Sequence, residues 1–371
     1  MMLVPFLELK RESERCRAEI EQTIARVLKS GRYILGPELE ALETEFARYL
    51  KVPFAVGVAS GTDALTLALE AAGIIQPGKN DEVITSALSA AFSALAICRA
   101  GAVPRFADVD PATLQIDPGR IEPLIGGRTR AILPVHLYGH VGDLHGIAEL
   151  ARKYHLTIVE DACQAHGSRW KGASLGTLSL AAGFSFYPTK NLGALGDAGM
   201  VVTADEAVST RVKKLRHGGQ SRAYHHELLG YNSRLDEMQA AVLRLKLEGL
   251  ETRNEVRRRR AARYDEAFAD LDLTVLPVAA GFLPNRHLYP VRTPRRDTLR
   301  RFLMDHGIET LVHYPAPLPQ QPALKQFVLA GQEFPVAEKA AREIFSLPLY
   351  PELTDEELQY TIQIVRRFFK M

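Results

Sequence analysis

Cysteine, net charge and long apolar runs are all scarce in this sequence, and each shortage excludes a class of protein. The three cysteines, Cys16, Cys98 and Cys163, form no CxxC pair. This argues against a disulfide scaffold or a cysteine-ligated zinc site and favours a reducing compartment, the cytoplasm. A net charge of +2 in 371 residues gives no strong basic field, so we expect no nucleic-acid partner. The longest apolar stretch, near residues 87–98, is shorter than the roughly 18 residues that span a bilayer, so we expect no membrane partner.

The motifs of three common enzyme classes are also missing. The sequence has no GxxxxGK[ST], and GALGDAG lacks the GxGxxG spacing, which disfavours a P-loop enzyme and a nucleotide-binding dehydrogenase. His136, His140 and His145 lie close together in HLYGHVGDLH. Without HExxH, however, this pattern favours a loop of satisfied or exposed histidines, and we predict no metal site.

Short apolar runs alternate with helical patterns along the first half of the chain. The predicted strands lie in FAVGVAS, DEVITSA, AVPRFADVD, TRAILPVHLYG and LTIVEDACQA. Strands separated by helices predict βαβ units and a mainly parallel sheet, hence an α/β fold. Chemistry in such sheets gathers at the carboxyl ends of the strands. Thr62, Asp161 and Lys190 each lie at or just beyond such a predicted end.

A long helix is predicted from Leu235 onward through ETRNEVRRRRAARYDEAF. The arginine run 257–260 within it could mark an anion site, but a solvated helix face is the favoured interpretation. Strand and helix patterns alternate again after this helix. We therefore predict a large domain over residues 1–250 and a smaller α/β domain over residues 251–371.

The segment FSFYPTKNLGALGDAG places a single lysine, Lys190, after an apolar strand and among glycines. Burial of an ammonium group without a purpose costs several kcal/mol. A lysine amine can bond covalently to a carbonyl once its environment lowers its pKa. The aldehyde of pyridoxal phosphate is the commonest such partner, so the other groups that this cofactor needs can be sought in the sequence.

Two further features match those needs. Asp161 could pair with the pyridine nitrogen and keep it protonated; a helix cap is the alternative role for this residue. Ser60-Gly61-Thr62 opens the first predicted helix, where backbone N–H groups and a hydroxyl can hold a phosphate, and Ser185 could add a second hydroxyl. An ordinary N-cap is the alternative for this segment.

Longer motifs then suggest a family. Six motifs resemble signatures of the DegT/DnrJ/EryC1/StrS family of sugar aminotransferases. They are VEDACQAHGS, SFYPTKNLGALGDAG, GYNSRLDEMQAAVL, SGRYILGPELE, LPVHLYGH and VHYPAPL. The resemblance covers nearly the whole chain. VPFLELK and YHHELLGYNSRLD most resemble the branch that acts on dTDP-3-keto-6-deoxyhexoses. The resemblance implies PLP-dependent transferase fold type I (aspartate aminotransferase-like) and a homodimer with shared active sites.

The resemblance also implies an activity and site residues. The activity is transfer of an amino group from an amino acid, expected to be glutamate, to a nucleotide-linked keto-deoxysugar. Lys190 would be the Schiff-base lysine and proton shuttle, and Asp161 the partner of the pyridine nitrogen. The other residues implied in cofactor binding are Gln164 near the ring hydroxyl, Gly61, Thr62 and Ser185 at the phosphate, and Asn232 from the other subunit. Sugar-nucleotide contacts are implied for His313 and Tyr314, and for Tyr33, Tyr187, Tyr224 and Arg234.

One departure from the family pattern and three alternative activities remain. Ala90 occupies the position where family members usually stack an aromatic residue on the cofactor ring, and Phe92 either replaces that residue or belongs to the core. The alternative activities are amination of a 4-keto sugar nucleotide, PLP-dependent sugar dehydration, and a regulatory role. Relatives that remove a hydroxyl typically carry histidine at the lysine position, so Lys190 favours amination.

Overall fold

The computed structural model describes residues 2–76 and 78–371. The strands are β1 (Phe54–Val58), β2 (Glu82–Ser86), β3 (Val103–Ala107), β4 (Thr129–Leu133), β5 (Thr157–Asp161), β6 (Arg169–Trp170), β7 (Ala173–Ser174), β8 (Ala181–Ser185), β9 (Gly199–Thr203), β10 (Gln220–Arg222), β11 (His225–His226), β12 (Thr274–Val275), β13 (Phe282–Leu283), β14 (Tyr289–Arg292) and β15 (Ile344–Leu347). The α-helices are α1 (Leu9–Arg15), α2 (Arg17–Ser30), α3 (Pro37–Leu50), α4 (Gly61–Ala71), α5 (Phe92–Arg99), α6 (Pro118–Ile121), α7 (Leu144–Lys153), α8 (Glu206–Leu215), α9 (Glu237–Glu248), α10 (Leu250–Phe268), α11 (Arg296–Asp305), α12 (Pro335–Glu343) and α13 (Asp355–Phe369). Short 3₁₀ helices cover Glu122–Leu124, Leu137–Gly139, Leu318–Gln320 and Lys325–Phe327.

A seven-stranded sheet in the order β1-β9-β8-β5-β4-β2-β3 forms the centre of the molecule. Its pairs are parallel from β8 through β5, β4 and β2 to β3, whereas β9 runs antiparallel between β1 and β8. This confirms the predicted α/β class with a mainly parallel sheet. Every residue of β2 and β9 is buried, as expected for central strands when helices cover both faces of a sheet.

Helices pack on both faces of this sheet. On one face, α4 and α8 join a core that contains Leu67 and Val212. On the other face, α3 and α9 contribute Phe46 and Leu243 to a second core. Helix α4 begins where Ser60 accepts a hydrogen bond from the Asp63 N–H at 3.1 Å, a side-chain N-cap that satisfies one free amide of the first turn.

The predicted long helix proved to be two helices. Helix α9 ends at Glu248 and α10 starts at Leu250, with Gly249 between them at φ −95° and ψ 3°. Glycine is a poor helix former because it loses the most backbone entropy on ordering, so it is a natural position for the break. The expectation of a solvated arginine face is also wrong for most of the run 257–260: Arg257 is only 6% exposed, Arg258 and Arg260 are partly buried, and Arg259 alone is exposed.

A second sheet, β12-β14-β15, is antiparallel and packs with α10, α11 and α13. Its core includes Tyr264 and Phe345 but also Val4 from the amino-terminal segment. Val4 bridges to Ile308. The division of the chain at residue 250 stays a prediction, because the amino-terminal segment shares this second core. Among the described residues, none of the helices is both long and apolar enough to cross a bilayer.

Candidate active site

Three of the predicted motifs meet at one edge of the central sheet. Asp161 ends β5 and lies opposite Gly183 of the parallel strand β8, which itself ends at Ser185. Strand β1 runs in the same direction and leads through Ser60 into α4. Because these strands are parallel, their carboxyl ends open on the same side of the sheet. Asp161, the Ser60-Gly61-Thr62 segment and the turn that contains Lys190 are therefore neighbours.

The start of α4 lies tightly against the end of β8. A Cβ placed on Gly61 would lie 2.5 Å from the Cβ of Ser185 and 3.0 Å from the Sγ of Cys163. Only glycine allows this approach, which brings the Ser185 hydroxyl beside the first turn of the helix. The first N–H groups of a helix have no acceptor within it and favour an anion. This cradle fits the phosphate of pyridoxal phosphate, although Ser60 is at the same time an ordinary N-cap.

Asp161 is 5% exposed, and both of its carboxylate oxygens are fixed by neighbours. The Ser93 hydroxyl donates to Oδ2 at 2.6 Å, and the backbone N–H of Cys163 donates to Oδ1 at 3.1 Å. The helix-cap alternative is wrong, because strand β6 is the next element after Asp161. A buried, oriented carboxylate at this edge of the sheet is the group that a pyridine nitrogen requires.

Lys190 lies in the turn that follows β8, where its N–H donates to the carbonyl of Tyr187 at 2.8 Å. Burial lowers the pKa of Lys190, while the charges of Cys163 and Asp161 act in the opposite direction. Asp161 is thus close enough to act on the lysine electrostatically. A lysine whose pKa is lowered by burial has more of the free amine that attacks a carbonyl. The Cys163 thiol is no rival nucleophile, because burial raises its pKa well above its ordinary value.

A cleft of about 950 Å³ opens above Lys190. Gln164, His313 and Tyr314 line it, together with Phe6 of the amino-terminal segment. The Gln164 side chain accepts from the Tyr138 N–H at 2.5 Å and donates to the Tyr314 hydroxyl at 3.3 Å. Burial raises the pKa of Tyr314 to about 12, so this hydroxyl keeps its proton at neutral pH. Burial also lowers the pKa of His313 to about 4, so this imidazole is neutral.

Six further predicted site residues do not line this cleft, and neither do Gly61, Thr62, Asp161 and Ser185. Tyr33, Phe92, Tyr187 and Tyr224 are 47%, 62%, 51% and 95% exposed. Asn232 is exposed, and Arg234 is half-buried with its guanidinium 3.5 Å from Nδ1 of His217. None of these six residues lines the cleft within the described protomer. Their roles stay predictions, as does ring stacking by Phe92.

Four residues near the site were missed at the level of sequence. Ser93 binds Asp161, Phe6 lines the cleft, and Arg257 and His287 border it beside Lys190. No motif marks Ser93 or Phe6. Nothing in the sequence distinguishes Arg257 from the other arginines of its run. The position of His287 is seen only in the folded chain, where its Nδ1 lies 2.9 Å from Oδ1 of Asn191.

The histidines of the HLYGHVGDLH segment do not share a site. His136 is buried and lies 2.7 Å from Oε2 of Glu160, whereas His145 is on the surface near Glu149. Burial lowers the pKa of His140 to about 3. Among the described residues, no group of three or more metal-ligating side chains could hold an ion.

Comparisons with known proteins identify the family and the fold. The model of the DegT/DnrJ/EryC1/StrS aminotransferase family matches residues 14–366. A dTDP-3-amino-3,4,6-trideoxy-alpha-D-glucose transaminase of Streptomyces venezuelae is 48% identical over 366 residues, or 98% of this chain and 96% of that protein. A protein of Geobacillus stearothermophilus named pleiotropic regulatory protein is 43% identical over 373 residues, or 100% of this chain and 99% of that protein. The crystal structure of DesV from S. venezuelae has a TM-score of 0.97 at 46% identity, with 100% of both chains covered.

Proposed function

The chain belongs to the DegT/DnrJ/EryC1/StrS aminotransferase family, and from this premise we propose that it transfers the amino group of glutamate to a dTDP-linked 3-keto-6-deoxyhexose. It is a PLP-dependent sugar nucleotide aminotransferase of fold type I. The observation that carries this function is Lys190, which lines the cleft and has a lowered pKa, within electrostatic reach of the fixed carboxylate of Asp161. The 3-amino product in the name of the S. venezuelae relative supports the position of amination.

The chain's own residues supply binding, orientation and proton transfer. Pyridoxal phosphate supplies an aldehyde for Lys190 and a ring that accepts the electrons of a breaking C–H bond. Gly61, Thr62 and Ser185 would hold the phosphate, Asp161 the ring nitrogen and Gln164 the ring hydroxyl. The Lys190 amine, when free, would take the proton from the α-carbon of the amino donor and hold it within the site. In the second half-reaction Lys190 delivers the proton to the sugar carbon, and His313 and Tyr314 position the sugar.

Two other activities are weaker explanations. A dehydratase would be expected to carry histidine at position 190, and this chain has lysine. A regulatory role has one observation in its favour, the name of the G. stearothermophilus relative. A regulator has no need of a lysine with a lowered pKa opposite a fixed aspartate.

The proposal extends to assembly and location. Asn232, Tyr224 and Tyr33 are exposed in the protomer, as expected for residues that complete the site of a second copy, so we place them at the interface of a homodimer. The few cysteines, none of which forms a disulfide among the described residues, support a cytoplasmic location.

The test is incubation of the PLP-loaded protein with glutamate and a panel of 3-keto and 4-keto dTDP-deoxysugars, with products identified by mass and NMR. We expect a 3-amino sugar nucleotide and 2-oxoglutarate. Lys190→Ala should abolish both turnover and covalent retention of the cofactor after borohydride reduction, whereas the exposed Lys171→Ala should change neither. A 4-amino product would replace the 3-keto proposal, and turnover by Lys190→Ala at the wild-type rate would refute the role of the lysine.

A further inference from the structure

Arg257 is a buried charge that forms no salt bridge among the described residues. It projects from α10, is 6% exposed, and borders the cleft that contains Lys190. Within the described residues its hydrogen bond runs from Nη1 to the carbonyl of Leu349 at 2.9 Å, and its Nε is buried with no partner. No carboxylate of the described chain lies within salt-bridge distance of this guanidinium, although the more distant charges of Glu352 and Glu12 act on it.

A buried guanidinium without a salt-bridge partner lowers the stability of the fold, so its position calls for an explanation. Burial lowers the pKa of Arg257 to about 10, which still leaves it charged at neutral pH. The desolvation of such a charge costs several kcal/mol unless an anion and hydrogen-bond acceptors meet it. Guanidinium donors form a rigid fork that matches a carboxylate.

The inner part of the cleft is electropositive. The residues that line this part of the cleft include Lys190, Arg257 and the neutral His287. The acidic residues that line the cleft, Asp297 and Glu309, are exposed. Burial, with the charges of Lys190 and Arg257, lowers the pKa of His287 well below its ordinary value. This part of the cleft therefore suits an anion in contact with the reacting groups.

We propose that Arg257 binds the α-carboxylate of the amino donor. This inference rests on the proposed aminotransferase function and names a residue for its first substrate. Lys190 and Arg257 both border the main cleft and a narrow recess beneath the amino-terminal segment, which Glu8, Glu12, Arg253 and Glu352 also line. The α-carboxylate is attached to the same carbon as the amino group that must reach the Lys190 position. A cation beside Lys190 can therefore hold that carboxylate while the amino group reacts.

The two half-reactions separate this proposal from its alternatives. Arg257→Met removes the charge but keeps a side chain of similar length. We expect kcat/KM for glutamate to fall roughly a hundredfold, as when one partner of a buried charge pair is removed. The reverse half-reaction with the amino sugar nucleotide should change less than about threefold. Arg259→Met, an exposed arginine of the same helix, serves as the matched control and should leave both half-reactions unchanged.

Two further measurements distinguish recognition from a merely structural role. Glutamate α-amide should be a poor donor for the wild type and should lose little more in Arg257→Met, whereas glutamine, which keeps its α-carboxylate, should lose as much as glutamate. The dissociation constant of 2-oxoglutarate, measured by calorimetry, should rise in Arg257→Met and recover in part in Arg257→Lys. Equal losses with glutamate and its α-amide would overturn the proposal, as would a loss confined to the sugar nucleotide. The glutamate half-reaction requires no sugar, so failure of the sugar proposal would leave this test intact.

Discussion

The hydroxyl of Ser93 donates a hydrogen bond of 2.6 Å to Oδ2 of Asp161, a residue 68 positions further along the chain. Ser93 lies in the first turn of α5, after β2, and Asp161 ends β5. A hydrogen bond to a charged partner contributes roughly 1.5–3 kcal/mol. This contact fixes the direction in which the carboxylate faces the space beside Lys190, and it makes Ser93 a positioning residue for Asp161.

Ser93→Ala should weaken the binding of pyridoxal phosphate by about tenfold, because the carboxylate loses its fixed orientation and one strong hydrogen bond. The measurement is titration of the cofactor-free protein with pyridoxal phosphate. Ser209→Ala removes a buried hydroxyl on α8, away from the site, and is the control. An unchanged affinity in Ser93→Ala would show that Ser93 does not position Asp161.

Gly61→Ala should damage the phosphate cradle. Its Cβ would lie 2.5 Å from that of Ser185, which is held in the sheet opposite Gly199. We expect a stability loss of about 1–3 kcal/mol from overpacking, together with weaker binding of pyridoxal phosphate. Binding of pyridoxal, which has no phosphate, should be affected much less. Gly126→Ala is the control, since its Cβ would enter open space; equal losses for both ligands would argue against a phosphate site here.

The buried ring of His166 should make stability depend on pH. Its centroid lies 5.3 Å from that of Phe184 and 5.7 Å from that of Phe186. Burial, with the charge of Lys190, lowers the pKa of His166 from 6.5 to about 3. Between these values the unfolded chain binds a proton that the folded chain does not, so this residue lowers stability as pH falls through the window.

His166→Phe should therefore reduce the decrease in unfolding free energy on acidification by about 1.4 kcal/mol per pH unit within that window. Urea unfolding at pH 7, 6 and 5 measures the slope. His145→Phe, at an exposed position, should leave the slope unchanged. The same slope in wild type and His166→Phe would mean that another group dominates the acid response.

Mixing two damaged variants tests whether active sites are shared. If Asn232 reaches the phosphate of the partner's site, Asn232→Asp places a negative charge there and should inactivate it. Reassembly of Lys190→Ala with Asn232→Asp should then restore about a quarter of the wild-type activity, because half of the dimers are hybrids with one intact site. A mixture of Lys190→Ala with Asp161→Ala, two inactivating changes in one protomer's site, should gain nothing. No recovery in the first mixture would contradict a shared site.

Local sequence patterns were enough to predict that parallel strands alternate with helices along the first half of the chain, but not the order of the strands in the sheet. The apolar runs of β1 and β8 could be recognised without a partner strand, whereas the antiparallel β9 was not predicted. Chain direction then puts the ends of parallel strands at one edge, which is why Thr62, Asp161 and Lys190 could be predicted to lie at the same edge of the sheet. The family motifs added the roles of Lys190 and Gln164.

Only the tertiary structure decided which polar side chains lie against this edge. Ser93 reaches Asp161 because β2 and β5 are separated in the sheet by β4 alone, and Phe6 reaches the cleft because Val4 bridges to Ile308. Arg257 resembles the other arginines of its run in sequence, yet it is buried where α10 meets the segment around Leu349. Periodicity along a helix specifies which residues share a face, whereas burial of that face depends on elements distant in the chain that pack against it.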